Sequence, residues 1–334
     1  MGMKDEDYIE HLFVCSTHDY LLFFTNRGKV YRSKVYDLPD APSRQSKGRH
    51  LGNVLPLREG ERVQSVLATR DYGESKYLLF ATKCGTIKKT ELQAYNTPIK
   101  ADGIIAIKIR DDDELVAVRR VDGGDEVLMV SRAGLTVRFS EDDARSMGRD
   151  TSGVRGMDVQ GDNEVIAMDI ARDDHYLLVV TENGFGKRTP VADYRKTSRG
   201  AKGVKTIQQT EAKGALAAAL VVRDHHQLVF ISQNGMIQRI GVRDLRPLGR
   251  NAQGFRLMSV RDDDLVSAVA LVMESETPDA IADDGPVSLD ASGMADEPAL
   301  AGDGVIVGDP NEDALLGVPE VESDEMPDSD IEDE

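Results

Sequence analysis

The sequence lacks tryptophan, and aromatic residues make up only 5% of its 334 positions. A scaffold that binds other proteins usually presents aromatic side chains as binding hot spots, so this composition argues against a protein-binding propeller without removing it as an alternative. The only cysteines are Cys15 and Cys84, and the six histidines show no ligand-like spacing. We therefore expect neither a disulfide framework nor a structural zinc site, and a reducing cytoplasm is the expected compartment.

Long apolar runs are also missing, since none approaches the roughly 18 residues that a membrane span requires. No stretch has the 3.6-residue periodicity of a long amphipathic helix. The sequence therefore predicts a soluble protein with no membrane partner.

Basic residues are absent from the last part of the chain. The formal net charge is −18, from 59 acidic and 41 basic residues. Twenty-one of the acids follow position 270, so residues 1–270 hold 59 − 21 = 38 acids and all 41 bases. We expect residues 273–334 to be a disordered acidic tail. One possibility is that this tail binds the basic part of the chain and competes there with a polyanion, in which case truncation near Met273 would tighten polyanion binding. The alternative is that the tail is inert.

A repeat dominates the remaining sequence. An apolar run ending in a hydroxyl, two further residues and a glycine occurs five times, as LLFFTNRG, LLFATKCG, VLMVSRAG, LLVVTENG and LVFISQNG. These first glycines stand at positions 28, 85, 134, 184 and 235, and they number repeats one to five. A second glycine follows at positions 48, 103, 153, 203 and 254.

Each repeat of about 50 residues has the size of a four-stranded propeller blade. Residues 5–15 match the end of one repeat running into the next, so we expect an incomplete extra blade and a chain that continues something longer. The prediction is an all-β, six-bladed disc with its first blade incomplete. Residues 1–17 would be the remnant strand, residues 18–272 the five-repeat domain and residues 273–334 the tail.

Cations recur in phase with the repeats. Four residues after each first glycine stand the strand cations, Arg32, Lys89, Arg138, Arg188 and Arg239. A second set precedes the second glycine in R-x-x-x-G loops, as Arg44, Arg149, Arg199 and Arg250, with Lys100 close to that phase. In a ring of similar blades, residues at equivalent positions of the repeats lie on the same surface, so these cations predict a basic rim.

Such a rim suits double-stranded DNA, because loop glycines let backbone N–H groups approach phosphate oxygens. The alternative is that the arginines pair with turn carboxylates as ordinary surface ion pairs. The full predicted set of DNA-contacting residues is Lys29, Arg32, Arg44, Lys47, Lys88, Lys89, Lys100, Arg138, Arg149, Lys187, Arg188, Arg199, Lys202, Arg239 and Arg250.

The repeat resembles the C-terminal domain of the DNA gyrase A protein, a six-bladed β-pinwheel that wraps DNA. Residues 5–272 carry the resemblance, most specifically in THDYLLFFTNRGKVYRSKVYDLP, NVLPLREGERV, GRDTSGVRGM, ENGFGKRTPVADY and GRNAQGFRLM. The corresponding domain of topoisomerase IV is a weaker match and is kept as an alternative. The resemblance implies a part of an ATP-dependent type II topoisomerase that contacts the rest of gyrase A and gyrase B, in the cytoplasm and at the nucleoid.

The resemblance also implies what this chain does not carry. In the family the catalytic tyrosine and the magnesium-binding acids lie in other domains, and ATP binds gyrase B. No cofactor is therefore expected here. The family's box Gln-Arg-Arg-Gly-Gly-Lys-Gly is absent, and residues 197–203 match it best, at Arg199, Gly200, Lys202 and Gly203. We expect phosphate binding to survive without the box, whereas supercoiling by this chain alone does not follow.

Three other patterns favour structural roles. The string GFGKRT from Gly184 has neither the spacing nor the following helix of a P-loop. The turn carboxylates at 111–114 and 262–264 lack calcium-binding spacing, and His18, His175 and His226 are read as strand-entry residues.

Overall fold

The computed structural model describes residues 15–39, 50–73, 75–261 and 263–272. The proposed tail from 273 onward and nearly all of the proposed remnant strand at 1–17 lie outside these residues, as do Arg44 and Lys47.

The described residues form nineteen β-strands. They are β1 Tyr20–Thr25, β2 Lys29–Lys34, β3 Val63–Thr69, β4 Tyr77–Thr82, β5 Thr86–Glu91, β6 Ile104–Ile105, β7 Leu115–Val121, β8 Glu126–Ser131, β9 Leu135–Ser140, β10 Val154–Arg155, β11 Val165–Ala171, β12 Tyr176–Thr181, β13 Phe185–Pro190, β14 Val204–Lys205, β15 Leu216–Val222, β16 Gln227–Ser232, β17 Ile237–Gly241, β18 Phe255–Arg256 and β19 Val266–Val272.

In the part of the chain that the structure describes, helical structure is limited to short 3-10 turns. They are Val35–Asp37, Leu51–Asn53, Leu92–Tyr95, Glu141–Asp143, Val191–Asp193, Glu211–Lys213 and Val242–Asp244. Within the described residues no helix is long and apolar enough to cross a membrane.

The strands form five antiparallel sheets. Four have four strands, in the orders β3-β1-β2-β6, β10-β5-β4-β7, β11-β8-β9-β14 and β15-β12-β13-β18, and the fifth has three, β17-β16-β19. The all-β, four-stranded prediction is confirmed. The predicted count of six blades was wrong for the described residues, which form five. Almost all of residues 1–17, proposed as the remnant of a further blade, lies outside the described residues.

A β-hairpin is the centre of each repeat. The backbone N–H of Gly28 donates to the carbonyl of Thr25 at 3.0 Å, and the Thr25 hydroxyl accepts from the backbone N–H of Lys29 at 3.3 Å. The equivalent hydroxyls of Thr82, Ser131, Thr181 and Ser232 bridge their turns in the same way. This bond explains why a hydroxyl always stands three residues before the first glycine.

The outer strand of each four-stranded sheet comes from the following repeat. These donated strands are β6, β10, β14 and β18, and each follows the second glycine of its own repeat. Val154 of β10, for example, pairs with Ile87 of β5. Gly153 has φ +91°, and a Cβ there would lie 2.3 Å from the carbonyl oxygen of Ile87. Only glycine lets the incoming strand approach so closely.

The hydrophobic core is divided between neighbouring repeats. Leu22 and Phe24 of repeat one pack in one cluster with Leu78 and Phe80 of repeat two. The other faces of the same β4 strand, at positions 79 and 81, belong to the next cluster with repeat three. Each central strand is therefore buried on both faces, which explains its continuous apolar run.

The strands at the other edge of the sheets face a common space. Strands β3, β7, β11, β15 and β19 line one cavity of about 450 Å³. Each sheet therefore has a cavity-lining strand at one edge, and four of the five have a donated strand at the opposite edge. The donated strands thus mark the rim, on the side away from the cavity.

Candidate nucleic-acid interface

The strand cations occupy the middle of the second hairpin strand of each repeat, and most of them are buried. Lys89, Arg138 and Arg188 are only 5%, 9% and 5% exposed. Arg32 is half-buried, and Arg239 on the three-stranded fifth sheet is exposed. The shared phase therefore places them at one position in the fold, but that position is covered by the following repeat.

Carboxylates of the following repeat, or of the turn that leads into it, pair with the buried strand cations. The Nζ of Lys89 lies 2.9 Å from Oε2 of Glu141, whose side chain is fully buried. The Nη2 of Arg138 lies 2.7 Å from Oδ1 of Asp173, and Arg188 pairs with Asp224. These contacts are ion pairs within the protein, as the alternative interpretation of the repeat-phased cations expected.

Neighbouring carboxylates keep Lys89 and Arg138 charged. Burial lowers the pKa of Lys89, but Glu141 and Asp142 outweigh it and raise that pKa above its usual value. For Arg138, burial again acts downward, whereas Asp173 and Glu126 raise the pKa. A charge held this tightly by the protein is poorly placed to meet a phosphate, so their contact with DNA stays a prediction.

Lys88 and Lys187 are more deeply buried, and neither side chain has any exposed surface. The Nζ of Lys88 donates to the carbonyl of Ala106 at 2.6 Å and also to the carbonyl of Arg149. The Nζ of Lys187 donates to the carbonyls of Gly249 and Arg250, both at 2.6 Å. Burial lowers the pKa of Lys88 to about 7 and that of Lys187 to about 8.

Two cations of repeat one are partly accessible. The Nη1 of Arg32 donates to the hydroxyl of Tyr72 at 3.1 Å, and its guanidinium carbon lies 4.6 Å from the ring centre of Tyr20. The Nζ of Lys29 donates to the carbonyl of Asp102 at 3.1 Å. Both side chains lie beside the donated strand β6.

The predicted loop cations lie at the rim. We call the segments 96–103, 145–153, 195–203 and 246–254 the rim loops; each leads into a donated strand. Lys100, Arg199 and Lys202 are exposed, and Arg149 and Arg250 are half-buried. Arg199 donates to the carbonyls of Asp143 at 2.9 Å and Arg155 at 3.0 Å, which joins one rim loop to its neighbours.

Sequence reasoning missed two further sets of exposed cations. On the donated strands, Arg155, Lys205 and Arg256 stand two residues after the second glycine, and each is exposed. At the start of the rim loops, the exposed cations are Arg145, Arg195 and Arg246. Counting from the second glycine, rather than from the first, would have found the donated-strand set.

Partners of the donated-strand cations leave them accessible. Arg155 is 71% exposed in its side chain, and its Nη1 is 3.7 Å from Oδ1 of Asp158. Arg256 lies over the ring of Phe185 at 5.1 Å. Exposed pairs of this kind contribute at most about 1 kcal/mol, so a phosphate can replace them at small cost.

Other candidate sites have structural explanations. Gly184 lies in the hairpin turn before β13, so GFGKRT enters a strand and not a helix. Burial and Asp113 raise the pKa of the Cys84 thiol, which disfavours a thiolate nucleophile. Nδ1 of His175 lies 2.7 Å from Oδ1 of Asp174. No cluster of three potential metal ligands occurs in the residues that the structure covers.

Known proteins share both the sequence and the fold. A family model described as the DNA gyrase C-terminal domain, a β-propeller, matches residues 19–70, 76–122, 125–172, 175–223 and 226–273. The DNA gyrase A protein of Mycobacterium tuberculosis is 45% identical over 152 residues, which are 45% of this chain and 18% of that protein. The gyrase A protein of Aeromonas salmonicida is 47% identical over 145 residues, or 43% of this chain and 16% of that protein.

Solved structures agree with the architecture. The C-terminal domain of DNA topoisomerase IV has a TM-score of 0.73 and 26% identity, covering 81% of this chain and 84% of that one. The DNA gyrase A C-terminal domain has a TM-score of 0.67 and 23% identity, covering 79% of this chain and 90% of that one, and shows the fold alone. This chain spans less than a fifth of the length of the curated relatives described above. Because all five repeats match the family model, the chain belongs to the DNA gyrase C-terminal domain family.

Proposed function

We propose that this chain is a non-catalytic domain that binds and wraps double-stranded DNA as part of the gyrase A protein of a bacterial DNA gyrase. The supporting observation is the set of exposed, repeat-phased cations on the donated strands, Arg155, Lys205 and Arg256, next to the rim loops. They lie at the sheet edge opposite the cavity, where a duplex could follow successive blades.

The physical argument rests on charge and curvature. Duplex DNA is a continuous line of phosphates, and bending it around a protein costs energy that many phosphate contacts can repay. Cations placed once per repeat along the rim would supply such contacts at regular intervals. Because they reach phosphates and not base edges, binding should be independent of sequence.

The remaining parts of the activity belong to the proposed assembly. The partners would be double-stranded DNA, the rest of gyrase A and gyrase B, in the cytoplasm at the nucleoid. ATP and magnesium would be used by other parts of that enzyme, in support of ATP-dependent negative supercoiling.

Duplex binding measured against salt concentration tests the proposal. We expect the logarithm of affinity to fall linearly with the logarithm of salt, with a slope of about −0.9 for each phosphate neutralised. The triple variant R155Q/K205Q/R256Q should bind more weakly and flatten that slope by about 2.7, or three times 0.9. A flat salt dependence for the wild-type chain would contradict DNA binding.

A matched triple variant controls for the loss of three charges. Arg62, Lys83 and Arg132 are at least 38% exposed in their side chains, pair with Glu114 or Glu164, and lie outside the donated strands and the rim loops. R62Q/K83Q/R132Q should leave the salt slope close to the wild-type value. Equal effects of the two triples would mean that only net charge matters.

Wrapping is a separate measurement. Nicked circular DNA ligated in the presence of the chain should show a positive change in linking number if the duplex follows a chiral path around the rim. Binding without such a change would favour the second candidate, a role like that of the topoisomerase IV domain whose solved structure is similar to this chain.

A further inference from the structure

The rim loops differ in what lies beneath them. Lys88 and Lys187 stand at the same place in repeats two and four, on the strand that receives the donated strand. The equivalent residues in the other repeats are Tyr31, Val137 and Gln238. Gln238 donates to the carbonyl of Leu257 in its own repeat, much as Lys88 does to Ala106. Only a lysine there also donates to the rim loop of the following repeat.

That second contact fixes a particular part of the loop. Lys88 donates to the carbonyl of Arg149, and Lys187 to those of Gly249 and Arg250. Arg149 and Arg250 are the loop arginines at the rim. A charged amine makes shorter and stronger hydrogen bonds to carbonyls than a neutral donor does. The loop is thereby held at, or next to, the residue that carries the half-buried arginine side chain.

We propose that Lys88 and Lys187 are positioning residues for DNA binding, each holding the rim loop of the next repeat so that its arginine is presented to a phosphate. This inference rests on the proposed function. The loop at 195–203 lies over Val137 and is instead joined to its neighbours by Arg199. It is therefore an internal control that should not depend on either lysine.

The surroundings of both amines make their charge sensitive to pH. Lys88 is 5.6 Å from the ring of Phe80, shares the Ala106 carbonyl with the Tyr95 hydroxyl and is influenced by Asp150 and Arg149. Lys187 is influenced by Arg250 and Asp193. Since burial lowers both pKa values towards neutrality, an amine exposed by release of its loop would take up a proton, so the hold on the loops should weaken as pH falls from about 9 to 7.

The test uses the full chain and a 20-base-pair duplex. At pH 9 the double variant K88M/K187M should bind the duplex about three- to tenfold more weakly than the wild type. The difference between the two should shrink as pH falls to 6.5, and the variant should show a flatter pH profile. K83M removes a charge from a hairpin turn and should keep the wild-type profile. Wild-type affinity and an unchanged pH profile in the double variant would overturn the proposal.

A second measurement needs no variant and no DNA. The side-chain resonances of Lys88 and Lys187 can be titrated by NMR while the backbone amides of the rim loops are followed. Amides at 149–153 and 249–254 should shift in step with the lysines, and those at 199–203 should not. Loop amides that ignore the titration would overturn the positioning role, whereas absence of duplex binding by the wild type would overturn the proposed function, so the two can fail separately.

Discussion

Cations of the same repeat phase do opposite work in two regions of this protein. On the second hairpin strands, Lys89, Arg138 and Arg188 are buried and paired with carboxylates of the adjoining repeat. On the donated strands, Arg155 and Lys205 carry the same charge at the same regularity, yet they are exposed. Regular spacing therefore identifies equivalent positions, and the covering of each position decides what its charge can contact.

The difference follows from how each sheet is completed. The hairpin strand lies one place in from the rim, because the donated strand and the rim loop of the next repeat cover it. The donated strand has no neighbour beyond it in the four sheets that have one. A cation on the second hairpin strand must therefore pair with a carboxylate of the protein, whereas a cation on the donated strand remains available to a phosphate.

The largest expected effect comes from removing one of the buried, paired cations. Replacing Lys89 with Met leaves the fully buried Glu141 without its partner, and an unpaired buried charge costs about 3–5 kcal/mol of unfolding free energy. Chemical denaturation would measure the loss. Adding Glu141→Leu should restore most of it, since neither charge is then left buried. A loss below about 1 kcal/mol in K89M would mean that the pair contributes little.

The pH dependence of stability probes the other buried amines. The pKa of Lys88 falls from 10.5 to about 7, and that of Lys187 to about 8, on folding. Between these values and 10.5 the unfolded chain binds more protons, so the unfolding free energy should rise with pH from about 7 to 10. Denaturation of the wild type and K88M/K187M across this range should show the rise in the wild type alone. Parallel curves would contradict the lowered pKa values.

A smaller effect should come from adding a further exposed cation to a donated strand. Ile105 occupies the donated-strand position where repeats three to five have a cation, and it is 46% exposed. Ile105→Arg should tighten duplex binding about two- to fivefold and steepen the salt slope by about 0.9, because it adds one phosphate contact. Ile105→Gln, which is polar but uncharged, is the control. If both variants bind alike, this position does not face DNA.

The smallest effect should come from the exposed member of the strand cations. Arg239 lies on the three-stranded fifth sheet, where the described residues provide no donated strand. Arg239→Gln should change the unfolding free energy by no more than about 0.5 kcal/mol, whereas Arg188→Gln should cost several times more. Thermal unfolding of both variants would measure the contrast. Equal losses would show that burial does not separate these two positions.

Much of the fold could be predicted from the sequence, because its repeat is written in residues with local roles. The hydroxyl before each turn and the glycine at each turn act within a few residues of the chain, and both marked the hairpins correctly. Strand donation could not be inferred in this way. A two-residue strand such as β10 has no periodicity of its own, and its pairing depends on contact with another repeat.

The candidate site was harder to predict for a related reason. Alternation of polar and apolar residues reveals which face of a strand is buried only when the other face meets water. In β5, Ile87, Lys88, Lys89 and Thr90 are all buried in succession, because both faces are covered. Lys88 and Lys89 therefore looked like surface cations, and nothing within the repeat indicated the carboxylate of Glu141 or the carbonyl of Arg149 that would meet them.

Strand donation has a consequence for how such a chain can change over evolutionary time. Within the described residues, repeats two to five each give a strand backwards and repeats one to four each receive one from ahead, so each junction between repeats uses the same kind of strand pairing. Duplication or loss of one whole unit in register would recreate a junction of the existing kind, with no new interface to invent. A cut at any other place would leave one sheet without its outer strand. The architecture thus permits the number of blades to vary between descendants while the path along the rim is lengthened or shortened in equal steps.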